Sequence, residues 1–318
     1  MSQSSELPLG LAGLRYPITQ ISLAVRDLDA TMASYYRAFG WAPWQVFDHV
    51  PPIHHNTELR GRQVDYSLRG AEVYVGDLNF ELLEPLQGPN LWSEFMDRRG
   101  EGIASIATMF SERADGDTVK AAFHDRFGAE VSMRADIGDH IEYYYLDTET
   151  KFGCLIESGS GHAIDFVKPA RVYPKPGAEW TVSPLNGIRY SIASVTLVVR
   201  DVESRQAAFA EAFGWGPWRA SHGPDRVARA LVGDLVFELI EPGPTDSPWR
   251  SFLETKGEGL FGIGCQVAAE DELGRSEASF AKLGVGVLIR GVDSDTGPWL
   301  LLDSERDFKC LVRLGLGQ

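Results

Sequence analysis

The sequence has few cysteines, and they are not spaced for a metal site or a set of disulfides. Cys154, Cys265 and Cys310 are an odd number without a C-x-x-C spacing. This excludes disulfide-rich secreted domains and zinc ribbons, and it favours a reduced, cytoplasmic protein. The first residues, MSQSSELPLGLAG, also lack the basic start and the long apolar segment of a secretory signal.

Long apolar runs and an excess of positive charge are missing as well. No run reaches the ~18 apolar residues of a membrane-spanning helix. The net charge of −15 and the isoelectric point near 4.9 argue against nucleic acids and anionic membranes as partners. The sequence has no glycine-rich phosphate loop, no nucleophile elbow and no H-E-x-x-H zinc motif. The expected partner is therefore a small molecule.

The sequence contains two copies of one repeated unit. The stretch GDLNFELLEP at 76–85 returns as GDLVFELIEP at 233–242. Each copy predicts a buried strand that begins at a Gly-Asp turn and ends at a proline. Glu81 and Glu238 lie in the middle of these strands, where a carboxylate is costly unless it has a partner. A repeat of this length predicts two copies of one domain, which suits a chain of 318 residues.

Both copies show the same order of predicted elements. In the first copy these are a strand at 18–25, a helix at 29–39, the acidic strand, a helix at 92–99, a strand at 103–110, a helix at 117–127, and strands at 140–146 and 152–157. In the second they are 192–199, 201–213, the acidic strand, 249–256, 260–267, 273–283, 299–302 and 308–314. Residues 161–186, rich in proline, glycine and lysine, predict a linker. The expected fold is α+β, with domains at 1–160 and 187–318.

The copies differ most in front of the repeated acidic strand. Between Trp44 and Gly76 the first copy has 31 residues, whereas between Trp218 and Gly233 the second has 14. The prolines and polar residues of the additional segment predict an exposed loop or hairpin. We expect it to be either a lid over a site or a contact to the other domain or a second subunit.

Both first helices run into the aromatic pattern F-G-W-x-P-W, at 39–44 and 213–218. Such aromatic side chains are expected to pack in the core and at the contact between the domains. The alternative is an aromatic wall on which a ligand stacks.

The order of elements, with V-R-D-L-D at 25–29, F-E-L-L-E-P at 80–85 and R-G-E-G-I at 99–103, resembles the glyoxalase or vicinal oxygen chelate superfamily. The closest resemblance is to its methylmalonyl-CoA-epimerase-like branch. The resemblance covers both copies and implies two βαβββ modules per domain, curled into a half-closed cup. It also implies four inward-facing ligands for a divalent metal. The superfamily includes isomerases, lyases, dioxygenases, transferases and drug-binding proteins, so the fold does not define the reaction.

The resemblance places the four ligand positions of the first copy on Gln20, Glu81, Ser105 and Glu157. In the second copy they fall on Ser194, Glu238, Gly262 and Arg313. Neither set keeps the two histidines of the family, although imidazole is what holds zinc, nickel or iron in such sites. A guanidinium repels a cation, so we expect a Glu238–Arg313 ion pair and no metal in the second domain.

Three interpretations remain open for the first cup. Gln20, Glu81 and Glu157 are oxygen donors that would hold Mg²⁺ or Mn²⁺ weakly. Without a metal, two inward carboxylates repel each other, so that one is protonated near neutrality and the pair can move a proton at a carbon next to a carbonyl. In the third interpretation both carboxylates are tied to Arg or Tyr partners and have no chemical role. A tightly bound cofactor is not expected.

The favoured function is an isomerase or lyase that acts on a small organic substrate by proton transfer in the first cup. Glu81 and Glu157 would be base and acid, and Gln20 would hold the substrate oxygen. The residues expected to bind the substrate are Ser105, His54, His55, Tyr66, Arg69 and Tyr144. The alternatives are a non-catalytic small-molecule binder and an extradiol-dioxygenase-like enzyme, against which the missing histidines count. The second domain would serve as a packing partner, giving a monomer with an internal pseudo-dimer, or a homodimer.

Overall fold

The computed structural model describes residues 7–174, 182–293 and 296–317, which form two curled mixed sheets in tandem. The strands of the first sheet are β1 (Gln20–Ala24), β2 (Trp44–His49), β3 (His54–Leu59), β4 (Arg62–Gln63), β5 (Ser67–Val75), β6 (Leu78–Gln87), β7 (Gly102–Phe110), β8 (Val131–Ile137), β9 (Ile141–Leu146), β10 (Leu155–Ser160) and β11 (Arg171–Tyr173). Their order in the sheet is β11-β2-β5-β6-β1-β7-β10-β9-β8-β3-β4. The helices of this half are α1 (Leu28–Phe39), α2 (Leu91–Arg99), α3 (Arg113–Phe127), α4 (Glu149–Phe152) and α5 (Ala163–Phe166).

The second sheet repeats this plan with fewer strands. Its strands are β12 (Ser191–Val198), β13 (Arg219–His222), β14 (Arg226–Val232), β15 (Leu235–Glu241), β16 (Gly259–Val267), β17 (Val287–Asp293), β18 (Gly297–Leu302) and β19 (Leu311–Leu316), in the order β13-β14-β15-β12-β16-β19-β18-β17. The helices are α6 (Val202–Phe213), α7 (Pro248–Lys256), α8 (Glu270–Lys282) and α9 (Glu305–Phe308). The predicted α+β class and tandem arrangement are confirmed. No helix in the described ranges is long and apolar enough to cross a membrane.

The first strand and helix of each half form for the same local reasons. Asp27 accepts a hydrogen bond from the backbone N–H of Ala30 at the start of α1, and Gly40 ends the helix in the left-handed conformation. In β1, Ile21 and Leu23 face the apolar core, so the alternating Gln20 and Ser22 face the concave side of the sheet. This alternation is what delivers polar side chains into the cup.

The sequence-based element boundaries need three corrections. Strands β8 and β17 were not predicted, and neither were β2, β5, β13 and β14. Phe152 and Phe308, predicted to begin the last strands, instead end the short helices α4 and α9, and both strands begin three residues later. Gly153, with φ of 80°, ends α4 in a conformation that favours glycine. The third correction concerns the predicted linker: α5 and β11 lie within residues 161–186, and β11 pairs with β2 of the first sheet.

The two halves share one apolar core. A continuous cluster of buried side chains runs through both halves, including Phe39 and Trp41 of the first and Phe280 and Phe308 of the second. Phe39 packs against Phe280 with ring centroids 5.3 Å apart. The expectation that the F-G-W-x-P-W aromatics serve the core and the domain contact is confirmed. The concave faces of both sheets remain outside this shared core.

Candidate functional site

The concave face of the first sheet brings three predicted site residues to one cavity. Gln20 of β1, Glu81 of β6 and Glu157 of β10 all line it, although they are far apart in sequence. Ser105 of β7 is fully buried beside Glu157 and helps to lower the pKa of that carboxyl. Gln20 donates from Nε2 to Asn79 Oδ1 over 3.2 Å, while its own Oε1 has no hydrogen-bond partner. The structure thus brings together Gln20, Glu81 and Glu157, three of the positions that the resemblance implies.

Glu81 is a buried carboxyl with few hydrogen-bond donors. Ser22 Oγ donates to Glu81 Oε2 over 2.7 Å. The pKa of Glu81 lies well above its ordinary value because burial disfavours the charged form, and Glu72 and Glu157 add to this effect. Burial and the neighbouring carboxyls therefore favour the protonated form of Glu81.

Glu157 is held by a tyrosine. Tyr145 Oη donates to Glu157 Oε2 over 2.6 Å, a bond that favours the ionised carboxylate. Burial disfavours the ionised form more strongly than this bond favours it, and it raises the pKa of Glu157 to about 7. This carboxyl is therefore close to half-ionised at neutral pH.

Glu72 is a third buried carboxyl that the sequence reasoning missed. It lies opposite Glu81 in the β5–β6 pairing and accepts hydrogen bonds from Asn79 Nδ2 over 2.8 Å and the Ile164 backbone N–H over 3.2 Å. Burial raises the pKa of Glu72 to about 7, and those two hydrogen bonds oppose the rise. The available signal was the alternation of β5, which places Leu68, Gly70 and Glu72 on one face. Ile164 lies in α5, so part of the predicted linker helps to build this site.

The inserted segment covers the first cup. Its strand β3 pairs with β8 at the far side of the sheet, so the chain crosses from β2 to the opposite edge and returns to β5. His54 Nε2 is 2.8 Å from Tyr143 Oη, and Tyr66 Oη is 3.0 Å from the same atom. Of the two roles expected for this segment, the structure shows a cover over its own domain, anchored by His54 and Tyr66.

Three residues expected to bind the substrate lie elsewhere. The His55 ring contacts the backbone oxygen of Ile53, Arg69 pairs with Glu84, and Tyr144 Oη donates to the Gly116 carbonyl beneath α3. Neighbouring residues of a strand face opposite sides, so His54 and Tyr143 point inward whereas His55 and Tyr144 point outward. The cavity is lined by Tyr143 and Tyr145 in place of Tyr144.

The cavity of the first cup is small and uncharged apart from its carboxyls. Its volume is about 30 Å³, roughly the space of one water molecule. Burial lowers the pKa of His49 to about 3 and that of His162 to about 4, so both are neutral at pH 7. No lysine or arginine is found among the described residues that line this cavity. The carboxyls thus face each other without a positively charged side chain between them.

The donor set of this cup does not fit a metal. Within the described ranges, no group of three or more His, Cys, Asp or Glu side chains is arranged to hold an ion. Glu81 and Glu157 each accept a hydrogen bond from a neighbouring hydroxyl, from Ser22 and Tyr145 respectively.

The cup of the second sheet contains the expected ion pair and a stronger one. Arg313 Nη1 lies 3.4 Å from Glu238 Oε2, which confirms the predicted pair. Arg229 Nε lies only 2.6 Å from the same oxygen and was not predicted. Arg229 is directly opposite Glu238 in the β14–β15 pairing, so only the register reveals it. Asp293 then joins both guanidinium groups, at 3.2 Å from Arg229 and 3.7 Å from Arg313.

Comparison with solved structures identifies the fold. The chain is similar to a mutant 4-hydroxymandelate synthase from Streptomyces coelicolor, with a TM-score of 0.61 and 15% identity over 96% of this chain and 94% of that one. It is also similar to a halotolerant catechol dioxygenase, with a TM-score of 0.55 and 13% identity over 96% of this chain and 87% of that one. A third similar structure is a Mn(II)-bound glyoxalase from Novosphingobium aromaticivorans, with a TM-score of 0.55 and 13% identity over 95% of this chain and 82% of that one. At this level of identity the similarity concerns the fold, so this chain shares the fold of these structures, with two curled sheets in tandem. No protein-family model and no curated protein matches the sequence.

Proposed function

We propose that the protein is an enzyme that transfers a proton on a small organic substrate in the first cup, as an isomerase or a lyase. One observation carries the proposal: Glu81 and Glu157 face one cavity, and no described lysine or arginine lines it. Burial raises the pKa of Glu81 well above its ordinary value and that of Glu157 to about 7, so Glu81 favours its protonated form while Glu157 is partly ionised. Such a pair supplies an acid and a base at the same pH.

The environments of the two carboxyls assign their roles. Glu157, whose ionised form is supported by Tyr145, removes a proton from a carbon next to a carbonyl. Glu81 donates its proton either to the carbonyl oxygen or to the opposite face of the same carbon. The Oε1 atom of Gln20 has no partner within the protein and accepts a hydrogen bond from a substrate hydroxyl. The charge of the cavity favours a neutral substrate over an anionic one.

Substrate entry requires the cover to open. The cavity of about 30 Å³ is far below the ~300 Å³ of a typical small-molecule pocket. The cover opens when the hydrogen bonds from His54 and Tyr66 to Tyr143 break. Once it closes again over a substrate, water is excluded from the reacting carbon.

The test is solvent proton exchange. The full-length protein is incubated in D₂O with a panel of carbon acids, namely hydroxy ketones, 2-hydroxy aldehydes and thioesters, and deuterium incorporation is followed by mass spectrometry. Incorporation into at least one compound, reduced roughly 100-fold or more in Glu157→Gln and in Glu81→Gln, is the expected result. Glu84→Gln is the matched control, because Glu84 lies on the same strand but pairs with Arg69 outside the cavity. Exchange that is unchanged in both cup variants contradicts the proposal.

A non-catalytic binder is the second candidate. Aromatic side chains around the cavity, Trp92, Tyr143 and Tyr145, favour an aromatic ligand. This candidate expects saturable binding of a panel compound without any deuterium exchange in the same experiment.

A further inference from the structure

The first cup contains a histidine to which the proton transfer described above gives no role. His49, at the end of β2, is only 3% exposed, and its ring lines the same cavity as Glu81 and Glu157. The ring packs against Phe47 and His54, with centroid distances of 6.0 and 6.2 Å, but it has no hydrogen bond to any described residue. Buried polar side chains are normally hydrogen-bonded. The imidazole of His49 is therefore available to a ligand.

A glycine on the facing strand leaves a gap beside this ring. A Cβ atom at Gly70 of β5 would lie 3.0 Å from His49 Nε2 and 3.9 Å from Glu81 Oε1. The gap is thus bounded by an imidazole nitrogen and a carboxyl oxygen. An oxygen atom of a substrate placed near this point is within reach of both groups, which is the arrangement required of two donors to one oxygen that gains negative charge.

The imidazole is suited to donate a hydrogen bond without carrying a charge. Burial lowers the pKa of His49 to about 3, and His54 adds to this effect, so the ring is neutral at pH 7. A neutral imidazole has one N–H donor and one acceptor nitrogen. With no described partner that fixes the tautomer, His49 Nε2 can donate to an oxygen in the gap.

Gln20 sets the complementary requirement. Its Nε2 donates to Asn79 Oδ1 over 3.2 Å, and Asn79 Nδ2 donates to Glu72 Oε2 over 2.8 Å. Because Asn79 uses its amide N–H on Glu72, it presents its oxygen to Gln20, and Gln20 Oε1 is left without a partner among the described residues. The cup therefore offers an acceptor that needs a hydroxyl and a donor that needs an oxygen.

We propose that His49 is a catalytic residue of the first cup and that the substrate is a neutral 2-hydroxy ketone or 2-hydroxy aldehyde. This inference rests on the function proposed above. His49 Nε2–H donates to the carbonyl oxygen of the substrate, which lies in the gap above Gly70. Gln20 Oε1 accepts a hydrogen bond from the hydroxyl on the neighbouring carbon.

The proton transfer then balances within the cup. Glu157 removes the proton from the carbon that bears the hydroxyl, the C–H electron pair forms the C=C bond of an enol, and the carbonyl oxygen takes the proton of Glu81. The hydrogen bond from His49 strengthens while this oxygen carries negative charge. In the return steps the oxygen gives its proton back to Glu81, and Glu157 returns a proton to carbon. In D₂O the proton on Glu157 exchanges with solvent, so the carbon acquires deuterium.

The second cup lacks this arrangement. Gly70 pairs with the second residue after Glu81, whereas Val227 pairs with the second residue after Glu238, so a valine stands where the first cup has its gap. The cavity of the second cup is larger, about 350 Å³, and over its described residues the second sheet has no counterpart of β3. The reaction is accordingly assigned to the first cup alone.

Solvent exchange with two matched ketones tests the inference. The full-length protein is incubated in D₂O with hydroxyacetone or with butanone, in which a methyl group replaces the hydroxyl. Relative to exchange without protein, deuterium incorporation next to the carbonyl should be accelerated for hydroxyacetone and roughly tenfold or more less accelerated for butanone, because butanone cannot bond to Gln20. His49→Phe keeps a buried ring without a donor. It should lower kcat for hydroxyacetone roughly 100-fold and leave KM nearly unchanged.

Two further variants separate the hydrogen bond from the packing. His49→Gln keeps a neutral N–H donor and should recover part of the lost kcat. His55→Phe is the matched control, because the neighbouring ring contacts the Ile53 backbone oxygen and does not line the cavity; it should exchange hydroxyacetone like wild type. If His49→Phe does not fold, Gly70→Ala decides, since its methyl group fills the gap beside His49 Nε2 and should also slow the exchange.

Three results overturn the inference. The first is wild-type exchange of hydroxyacetone in both His49→Phe and Gly70→Ala, and the second is equal acceleration for butanone and hydroxyacetone. The third is exchange confined to thioesters, which leaves the proton transfer itself standing but excludes the hydroxy carbonyl substrate. Exchange with no compound at all contradicts the proposed function, and the role of His49 fails with it.

Discussion

Trp215 of the second half donates a hydrogen bond to the backbone oxygen of Tyr16 in the first half, over 2.8 Å. The equivalent pair repeats the bond in the other direction: Trp41 Nε1 donates to the Tyr190 oxygen over 3.1 Å. Both tryptophans belong to the F-G-W pattern, and both tyrosines precede the first strand of their own copy. The contact between the halves is thus self-complementary, as in a symmetric dimer.

Removing one of these indole donors should destabilise the whole chain. Trp215→Phe keeps an aromatic ring but leaves the buried Tyr16 oxygen without its donor, at a cost of about 1–3 kcal/mol in the free energy of unfolding beyond the loss of ring volume. Trp44→Phe is the control, because the Trp44 side chain is fully buried and its Nε1 has no partner. Chemical denaturation measures both, and equal losses in the two variants would show that the hydrogen bond contributes nothing.

Glu157 should make the protein less stable as the pH rises toward neutrality. Its pKa increases from 4.5 to about 7 on folding, so the folded state binds the proton more tightly. The stabilisation of the folded state by this protonated carboxyl is fully present below about pH 4.5 and is lost as the pH rises through about 7. The loss in unfolding free energy is up to about 3 kcal/mol. The difference in unfolding free energy between wild type and Glu157→Gln, measured from pH 4.5 to 8, isolates this effect. A difference that does not vary with pH would rule it out.

Acid should open the cover of the first cup. Burial lowers the pKa of His54 from 6.5 to about 4. Protonation of the His54 ring is therefore disfavoured while the cover is closed, but not when the cover is open and the ring lies in water. The closed form is therefore progressively destabilised as the pH falls from about 6.5 to about 4. At pH 5.5 the opening equilibrium should increase roughly tenfold over that at pH 7.5. Hydrogen exchange of residues 54–66, corrected for the intrinsic pH dependence, measures this increase.

The control for the cover is His54→Gln, which removes the titrating ring. Opening in this variant should not respond to pH over the same range. A wild-type response equal to that of the variant would assign the effect to another group.

The two arginines of the second cup should differ in their effect on stability. Arg229 lies closer to Glu238 than Arg313 does. Arg229→Met should therefore lower the free energy of unfolding by roughly 3 kcal/mol. This is near the lower limit for breaking a buried ion pair, because Arg313 still contacts Glu238. Arg313→Met should cost less. Adding Glu238→Gln to Arg229→Met should restore part of the loss, because the uncompensated charge is removed. Thermal unfolding of the four proteins measures the order, and a larger loss for Arg313→Met would contradict it.

The sequence was sufficient wherever a local alternation determines the structure. The polar positions of β1 and the repeated acidic strand placed Gln20 and Glu81 in the cup, and the opposed charges of Glu238 and Arg313 predicted their ion pair. Helix α1 could be predicted because Asp27 and Gly40 mark its ends within a short window. The helix depends on residues that are close together, whereas the Glu238–Arg313 pair depended on the ligand positions that the resemblance implies.

What could not be predicted depends on strand register over long distances. Tyr143, Tyr144 and Tyr145 are chemically alike in the sequence, and only the pairing of Glu157 with Tyr145 decides which of them face the cup. Arg229 became visible only when β14 was placed opposite Glu238, and Glu72 needed strand β5 to be recognised before its alternation could be used. The path of the insertion is set by β3 pairing with β8, a contact between segments about 80 residues apart that no local pattern encodes.

The shared core has a consequence for how the pairing of the two halves depends on concentration. Two separate subunits with this contact would dissociate on dilution, because their association is bimolecular. Here one chain carries both faces, so their encounter is intramolecular, and a tether of this kind sustains a local concentration in the millimolar range. Pairing therefore persists however scarce the protein is. Substitutions can accumulate in either cup without the partner half being lost, which is consistent with two cups that now differ in volume, charge and cover.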